Sequence, residues 1–313
     1  MRATALCLIF WQCLSPALAG DIAFVTNQTS EDLSVINLEN GETLKTISIG
    51  GKPAAVAVGP FGEQIYVVSP ESKTLSVIEP GEMKIAKRIQ LEGGPFGVAV
   101  HPGGKRVYVT DWYSTRIFEI DPAAGKVLRE FHSGKSPSGL AVTPDGSRLL
   151  SADRDSDQVS VFDTATGKRI ATIPVGERPF GVTIDAEGKR AYSADVGSNT
   201  VSVIDIPSAR LIGSVPVGER PYAVALAYGR GFVTDQYADS VTVFDLATLD
   251  PIRTIEVGEY PEGIDTSTDG RRIIVANWFS NSISVIDAKS LEVTAEHETG
   301  DGPRAFGSFI ARR

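Results

Sequence analysis

Residues 176–215 read GERPFGVTIDAEGKRAYSADVGSNTVSVIDIPSARLIGSV, and this stretch decides the fold. Val182 and Ile184 alternate with smaller or polar residues, and a polar turn from Asp185 to Arg190, containing Gly188, follows. Ala191-Tyr192-Ser193-Ala194 then runs into Asp195. A loop leads to Val201-Ser202-Val203-Ile204-Asp205, and a second polar turn leads to Arg210 through Val215. Apolar residues at alternate positions mark half-buried strands, and the Gly, Asp, Asn and Ser clusters between them mark turns. The stretch predicts a four-stranded antiparallel meander.

Outward from this unit the same phrase recurs over the chain. Pro53, Pro95, Pro137, Pro179, Pro221, Pro261 and Pro303 fall 42 residues apart, except for 40 between Pro221 and Pro261. A fixed period of this size marks a repeat architecture and overrules the two domains that 313 residues would otherwise suggest. One such sheet buries too little to stand alone, whereas a ring of sheets packed face to face shares a continuous core. The prediction is an all-β, seven-bladed β-propeller of four-stranded antiparallel blades. Ile22-Ala23-Phe24-Val25-Thr26-Asn27 has the phase of a second strand, and Pro303 to Ile310 that of a first. The two ends of the chain are therefore expected to complete the last blade together, leaving few free sheet edges.

Residues 1–19 stand outside the repeat. Arg2 supplies a positive charge, Ala5 to Trp11 an apolar stretch and Ala17-Leu18-Ala19 a small-residue cleavage site, the pattern of a secretory signal too short to span a bilayer. Cleavage after Ala19 would remove Cys7 and Cys13, both cysteines of the chain, and leave residues 20–313 as a single propeller, periplasmic or secreted, with no membrane partner. That portion has 29 basic against 39 acidic residues, a balance that disfavours nucleic acid, whose phosphates call for a basic stripe.

Tyr108-Val109-Thr110-Asp111 and Phe24-Val25-Thr26-Asn27 are each followed by a loop and a third strand, and in other repeats that strand reads Val201-Ser202-Val203-Ile204-Asp205 or Ile283-Ser284-Val285-Ile286-Asp287. The pattern resembles the YVTN family of β-propeller repeats along all of residues 20–313. The resemblance implies the propeller fold. It also implies an exported protein of the kind that accompanies periplasmic oxidation pathways built on quinoprotein dehydrogenases, as an accessory protein or as a subunit.

The internal repeat separates scaffold from site. A residue that recurs at one phase serves the blade, whereas one peculiar to a blade is free to serve a ligand. Asn27, Ser69, Asp111, Asp153, Asp195, Asp235 and Asn277 end the second strands, and Asn37, Glu79, Asp121, Asp163, Asp205, Asp245 and Asp287 end the third. Both rings are read as turn chemistry. Chain direction puts the loops between blades on the same face as the loops joining second to third strands. The first group supplies Phe96, Arg178, Phe180, Arg220, Tyr222, Tyr260, Glu262 and Arg304; the second supplies Trp112, Tyr113, Arg154, Tyr237, Trp278 and Phe279. Aromatic and arginine side chains offer apolar area with polar tips, and this face is the candidate site for a small molecule or partner protein, a periplasmic dehydrogenase among the partners considered.

Catalytic signatures are sparse. His101, His132 and His297 occupy scattered phases, and no metal or other cofactor is expected. No Cys-x-x-Cys-His, Gly-rich phosphate loop or Gly-x-Ser-x-Gly elbow occurs. Propeller lactonases and cycloisomerases resemble the chain at Gly302-Pro303-Arg304 and at His101-Pro102-Gly103-Gly104-Lys105. Here Ala305 stands where that branch commonly has histidine, and no second strand ends in Asn-Glu. The reading is a non-catalytic binding propeller, with a lactonase or a dehydrogenase subunit as alternatives.

Overall fold

A computed structural model describes residues 20–311; the expected signal segment and both cysteines lie outside them. Six four-stranded antiparallel meanders follow one another, with innermost strands Ala55–Val58, Pro95–Val100, Pro137–Val142, Pro179–Ile184, Pro221–Ala227 and Pro261–Thr266. We number these blades 1 to 6. Blade 7 combines the strands Ile22–Asn27, Asp32–Asn37 and Thr43–Ser48 with residues 303–311 as its innermost segment. The Phe24 amide donates to the Phe309 carbonyl at 2.8 Å, Ala311 to Ile22 at 2.9 Å and Arg304 to Thr26 at 2.7 Å, so the two ends of the chain close the ring.

The same segment also faces blade 1. The amides of Val56 and Val58 donate to Phe306 and Ser308, each at 2.9 Å. Blade 6 adds a side-chain latch: Asp265 Oδ2 accepts from the amides of Phe309 at 2.9 Å and Ile310 at 3.1 Å. Arg272 donates to the Leu38 carbonyl at 2.9 Å, and Asp21 Oδ2 accepts from the Thr268 amide at 2.8 Å.

Packing between blades follows from phase. Phe24, Tyr66, Tyr108, Leu150, Tyr192, Phe232 and Ile274 occupy one position on the second strand, and none exposes more than 2 % of its surface. Each such side chain contributes roughly 1.5–3 kcal/mol by burial. Tyr192 meets Phe244 of the next blade at 6.2 Å between ring centres. Inner strands approach closely at the residue two beyond each proline, which is Gly or Ala throughout. A Cβ on Gly97 would stand 2.0 Å from the Ser138 carbonyl oxygen, and one on Gly263 2.2 Å from that of Ala305.

The one irregular spacing has a local cause. In blade 5, Ala227 pairs directly with Arg230 across a two-residue turn, Tyr228 and Gly229, with φ of 50° and 69°. Two positive φ values in succession fit the twist of adjacent strands. Blade 3 uses the longer turn through Pro144-Asp145-Gly146-Ser147, and the difference accounts for 40 residues in place of 42.

The ring of Asp and Asn at the ends of second strands is buried scaffold. Asp153 Oδ2 accepts from Ser160 Oγ at 2.5 Å and from the Gly134 amide at 2.8 Å, and Asp195 Oδ2 accepts from Ser202 Oγ at 2.7 Å. Where the residue is asparagine the bond reverses: Asn27 Nδ2 donates to Ser34 Oγ at 2.8 Å, and Asn277 to Ser284 at 2.9 Å. Burial pushes the Asp195 and Asp235 carboxyls up to about 6 against these hydrogen bonds.

Candidate functional site

Two phases build the site. The residue after each proline starts an inner strand and reaches towards the axis: Ala54, Phe96, Ser138, Phe180, Tyr222, Glu262 and Arg304. The residue after each buried Asp, Asn or Ser that ends a second strand, Gln28, Pro70, Trp112, Arg154, Val196, Gln236 and Trp278, stands beside it. In six blades a backbone bond locks the two phases together. The amide of the second residue donates to the carbonyl of the residue before the proline, as from Trp112 to Gly94, Gln236 to Arg220 and Trp278 to Tyr260.

That residue before the proline is left-handed at Lys52, Ser136, Arg178, Arg220 and Tyr260, with φ between 52° and 60°. Four blades hold the corner with a loop Asx from the preceding blade. Asp157, Asn199, Asp239 and Asn281 accept from the amides of Arg178, Arg220, Tyr260 and Gly302 at 2.7–2.9 Å.

Between these two rings lies a cavity of about 610 Å³. Its lining brings together Phe96, Trp112, Tyr113, Arg154, Phe180, Arg220, Tyr222, Tyr260, Glu262 and Arg304 of the residues singled out in the sequence, and adds Gln28 and Gln236. Arg178, Tyr237, Trp278 and Phe279 do not line it. Arg178 is exposed on the rim. Trp278 sits behind Arg304, 5.3 Å from the guanidinium carbon, while Tyr237 and Phe279 flank Tyr260 at 5.7 and 5.0 Å. Of the two adjacent aromatic pairs, each splits. Trp112 and Trp278 turn partly inward, and Tyr113 and Phe279 are 84 % and 62 % exposed.

Phe96, Phe180, Tyr222 and Phe306 meet at the axis, with Phe180 4.4 Å from Tyr222 and 5.1 Å from Phe306. Trp112 leans on this cluster, 5.0 Å from Phe96 and 5.8 Å from Phe180. Phe306 was not singled out by sequence, although the signal was present. The other blades carry Val56, Val98, Leu140, Val182, Val224 and Ile264 at its phase. It also lines the channel on the opposite side of the cluster, so the rings separate the cavity from that channel.

A polar chain runs beneath the aromatic wall. Arg220 Nε donates to Gln236 Oε1 at 2.7 Å, and Gln236 Nε2 donates to Glu262 Oε1 at 2.7 Å. Glu262 Oε2 stands 2.8 Å from Arg304 Nε, which donates to the Tyr222 hydroxyl at 3.0 Å. Arg304 Nη1 reaches Gln28 Oε1 at 3.3 Å, and its guanidinium carbon lies 5.4 Å from the Phe96 ring. Glu262 is 2 % exposed. Burial pushes its carboxyl above the ordinary value while Arg304, Tyr222 and Arg220 pull it down. Burial disfavours charge on Arg304 too, but Glu262 and Tyr222 outweigh it and hold the guanidinium protonated. Burial, first of all, raises Tyr222 so that its phenol stays neutral.

Among the described residues no group of three or more His, Cys, Asp or Glu is placed to hold a metal ion, and no helix is long and apolar enough to cross a membrane.

Fold and site together define a closed seven-bladed β-propeller whose rim cavity is made of side chains peculiar to individual blades. No family model matches the chain, and no curated protein matches it. Among solved structures it is similar to hydrazine synthase of Kuenenia stuttgartiensis, with a TM-score of 0.75 and 17 % identity over 82 % of this chain and 89 % of that one. It is also similar to a functionally unknown protein from Desulfotomaculum acetoxidans, with a TM-score of 0.78 and 15 % identity over 91 % of this chain and 99 % of that one. At these identities the likeness speaks for the fold.

Proposed function

We propose that this protein is an exported, YVTN-type propeller that acts by binding, with a small molecule or a segment of a partner protein seated in the rim cavity. The observation that carries the reading is the linked chain Arg220, Gln236, Glu262, Arg304 and Tyr222 beneath an open aromatic wall. Removing an ion pair from water costs several kcal/mol per ion before attraction returns it. Blades 1 and 3 fill the same phase with Ala54 and Ser138, so a blade has no need of the pair. Arg2, the apolar stretch and Ala17-Leu18-Ala19 support export, to the periplasm or out of the cell. An accessory role beside a quinoprotein oxidation pathway follows from the family resemblance, and hydrazine synthase among the structural neighbours is a loose fit to a redox setting.

Affinity purification from periplasmic extract, with retained proteins and small molecules both identified by mass spectrometry, tests this reading. A component held by the wild type and lost with Tyr113→Ala or Arg220→Gln, at unchanged melting temperature, supports it; equal retention refutes it. Trp112→Ala is the poorer variant, because Trp112 packs on Phe96 and Phe180 and its loss also costs stability.

A lactonase reading draws on Arg304 and Glu262 at the cavity floor, a cation for a lactone carbonyl and a carboxylate that burial raises towards the range of a general base. Ring opening of sugar or muconate lactones, lost in Arg304→Ala, would select it. A protein inert across that panel removes it.

A further inference from the structure

We infer that the rim cavity takes a small planar organic anion, an aromatic or conjugated carboxylate, held by stacking and by the guanidinium groups of Arg154 and Arg220. The inference rests on the binding reading above and specifies its ligand.

The chain as a whole carries a formal charge of −9, yet the charged residues lining the cavity are Lys52, Arg154, Arg220 and Arg304 against Glu71 and Glu262. Three of these cations already have a carboxylate partner: Arg304 has Glu262 at 2.8 Å, Lys52 has Glu31 at 3.3 Å and Arg154 has the exposed Asp155 at 2.6 Å. Arg220 is different. Among the described residues no carboxylate stands within 4.0 Å of it. Its Nε is fixed by Gln236, and its Nη1 donates to the Tyr237 hydroxyl at 3.1 Å, beneath a guanidinium carbon 4.7 Å from the Tyr237 ring. Those contacts orient the group and leave Nη2 without a hydrogen-bond partner among the described residues.

Arg154 pairs through Nη1 with the exposed Asp155 at 2.6 Å, while its guanidinium carbon stands 5.5 Å from the Trp112 ring. Its remaining donors are unspent. Arg154 and Arg220 each present an oriented guanidinium with spare N–H groups on the cavity lining, and such a fork suits carboxylate oxygens in geometry and charge. Their partial burial beside aromatic rings makes an incoming anion more favourable than it would be in open water.

Planarity follows from the walls. Trp112, Tyr113 and Tyr260 offer accessible ring surface in front of the buried Phe96 and Tyr222, and the space of about 610 Å³ lies within the roughly 300–1,000 Å³ of small-molecule sites. A cationic planar ligand would meet four cations against two carboxylates on the lining. A long polyanion would meet the exposed carboxylates of Glu71, Glu177, Glu219 and Glu259, carried by loops on the same face. The charge pattern admits an anion small enough to sit inside that collar.

Isothermal titration calorimetry of the purified protein with matched pairs tests the inference: benzoate against benzamide, and indole-3-carboxylate against its amide. The carboxylates are expected to bind at least about tenfold more tightly than the amides, with affinity falling as sodium chloride is raised. Arg220→Gln should weaken the carboxylates about tenfold at unchanged melting temperature; if that variant fails to fold, Arg154→Gln serves the same purpose. Equal binding of acid and amide overturns the inference while leaving the cavity a binding site. Binding of acidic peptides but of no aromatic acid also overturns it. A protein that binds none of the four compounds also overturns the inference, while the binding reading stands or falls separately by the affinity purification.

Discussion

Glu262→Gln should destabilise the protein by about 2–3 kcal/mol at pH 7. The substitution keeps the shape and the bond from Gln236 but leaves Arg304 charged, with only 18 % of its side chain exposed. Breaking one side of a buried pair costs roughly 3–5 kcal/mol. Residual exposure, the Gln28 carbonyl and the rings of Phe96 and Trp278 offset part of that, each cation–π contact being worth about 0.5–2 kcal/mol. For a chain of this size the loss corresponds to a fall of about 5 °C in melting temperature. Arg304→Met leaves Glu262 buried without a counter-charge, and it should take up a proton instead of staying ionised. The double variant removes both charges and should recover most of the loss, with a coupling energy of about 2 kcal/mol or more. Urea titration of the four proteins measures this, provided the slopes agree. Additive single effects, or Glu262→Gln within about 0.5 kcal/mol of the wild type, would refute a desolvated pair at the cavity floor.

Removing residues 303–313 deletes the ring-closing hydrogen bonds and the buried side chains of Phe306, Phe309 and Ile310, together on the order of 10 kcal/mol. The truncated chain should lose its cooperative melt, and one that melts like the full chain would contradict closure. Asp195 and Asp235, raised to about 6 in the folded state against about 4 unfolded, make the native form bind more protons in that window. Stability should therefore fall as pH rises from about 4 to about 6 and stay lower above it. Asp195→Asn copies Asn27 and Asn277 and should flatten its share of the slope, on the order of 2 kcal/mol, in urea midpoints; a profile identical to the wild type would count against the shift. With Trp11→Phe, both remaining tryptophans lie at or behind the cavity wall, and iodide should quench their fluorescence at least about twofold better than caesium despite the acidic chain. Stronger quenching by caesium would reverse the assigned sign of the cavity.

The blade was legible in residues 176–215 because strand alternation and turn chemistry are local, and the ring followed from the prolines. Closure was legible too, since Ile22–Asn27 and Pro303–Ile310 carry complementary phases. The site was legible in part. Phase assigns a residue to a face but not to a distance from the axis, so Arg178, Tyr237 and Phe279, at loop tips, were grouped with Phe96 and Tyr222, which begin inner strands. Gln28 and Gln236 share the phase of Trp112 and Arg154, but a neutral amide in a polar loop is chemically indistinct from its neighbours until the fold places it beside Arg304 or Glu262. Phe306 was hidden within a strand that elsewhere reads as ordinary core.

The most direct measurement is the emission of Trp112 alone, in Trp11→Phe with Trp278→Phe, during titration with benzoate. A saturable change, weakened about tenfold by Arg220→Gln, is the predicted result. Calorimetric binding with silent Trp112 emission would mean that the ligand sits elsewhere, and the cavity would lose its role.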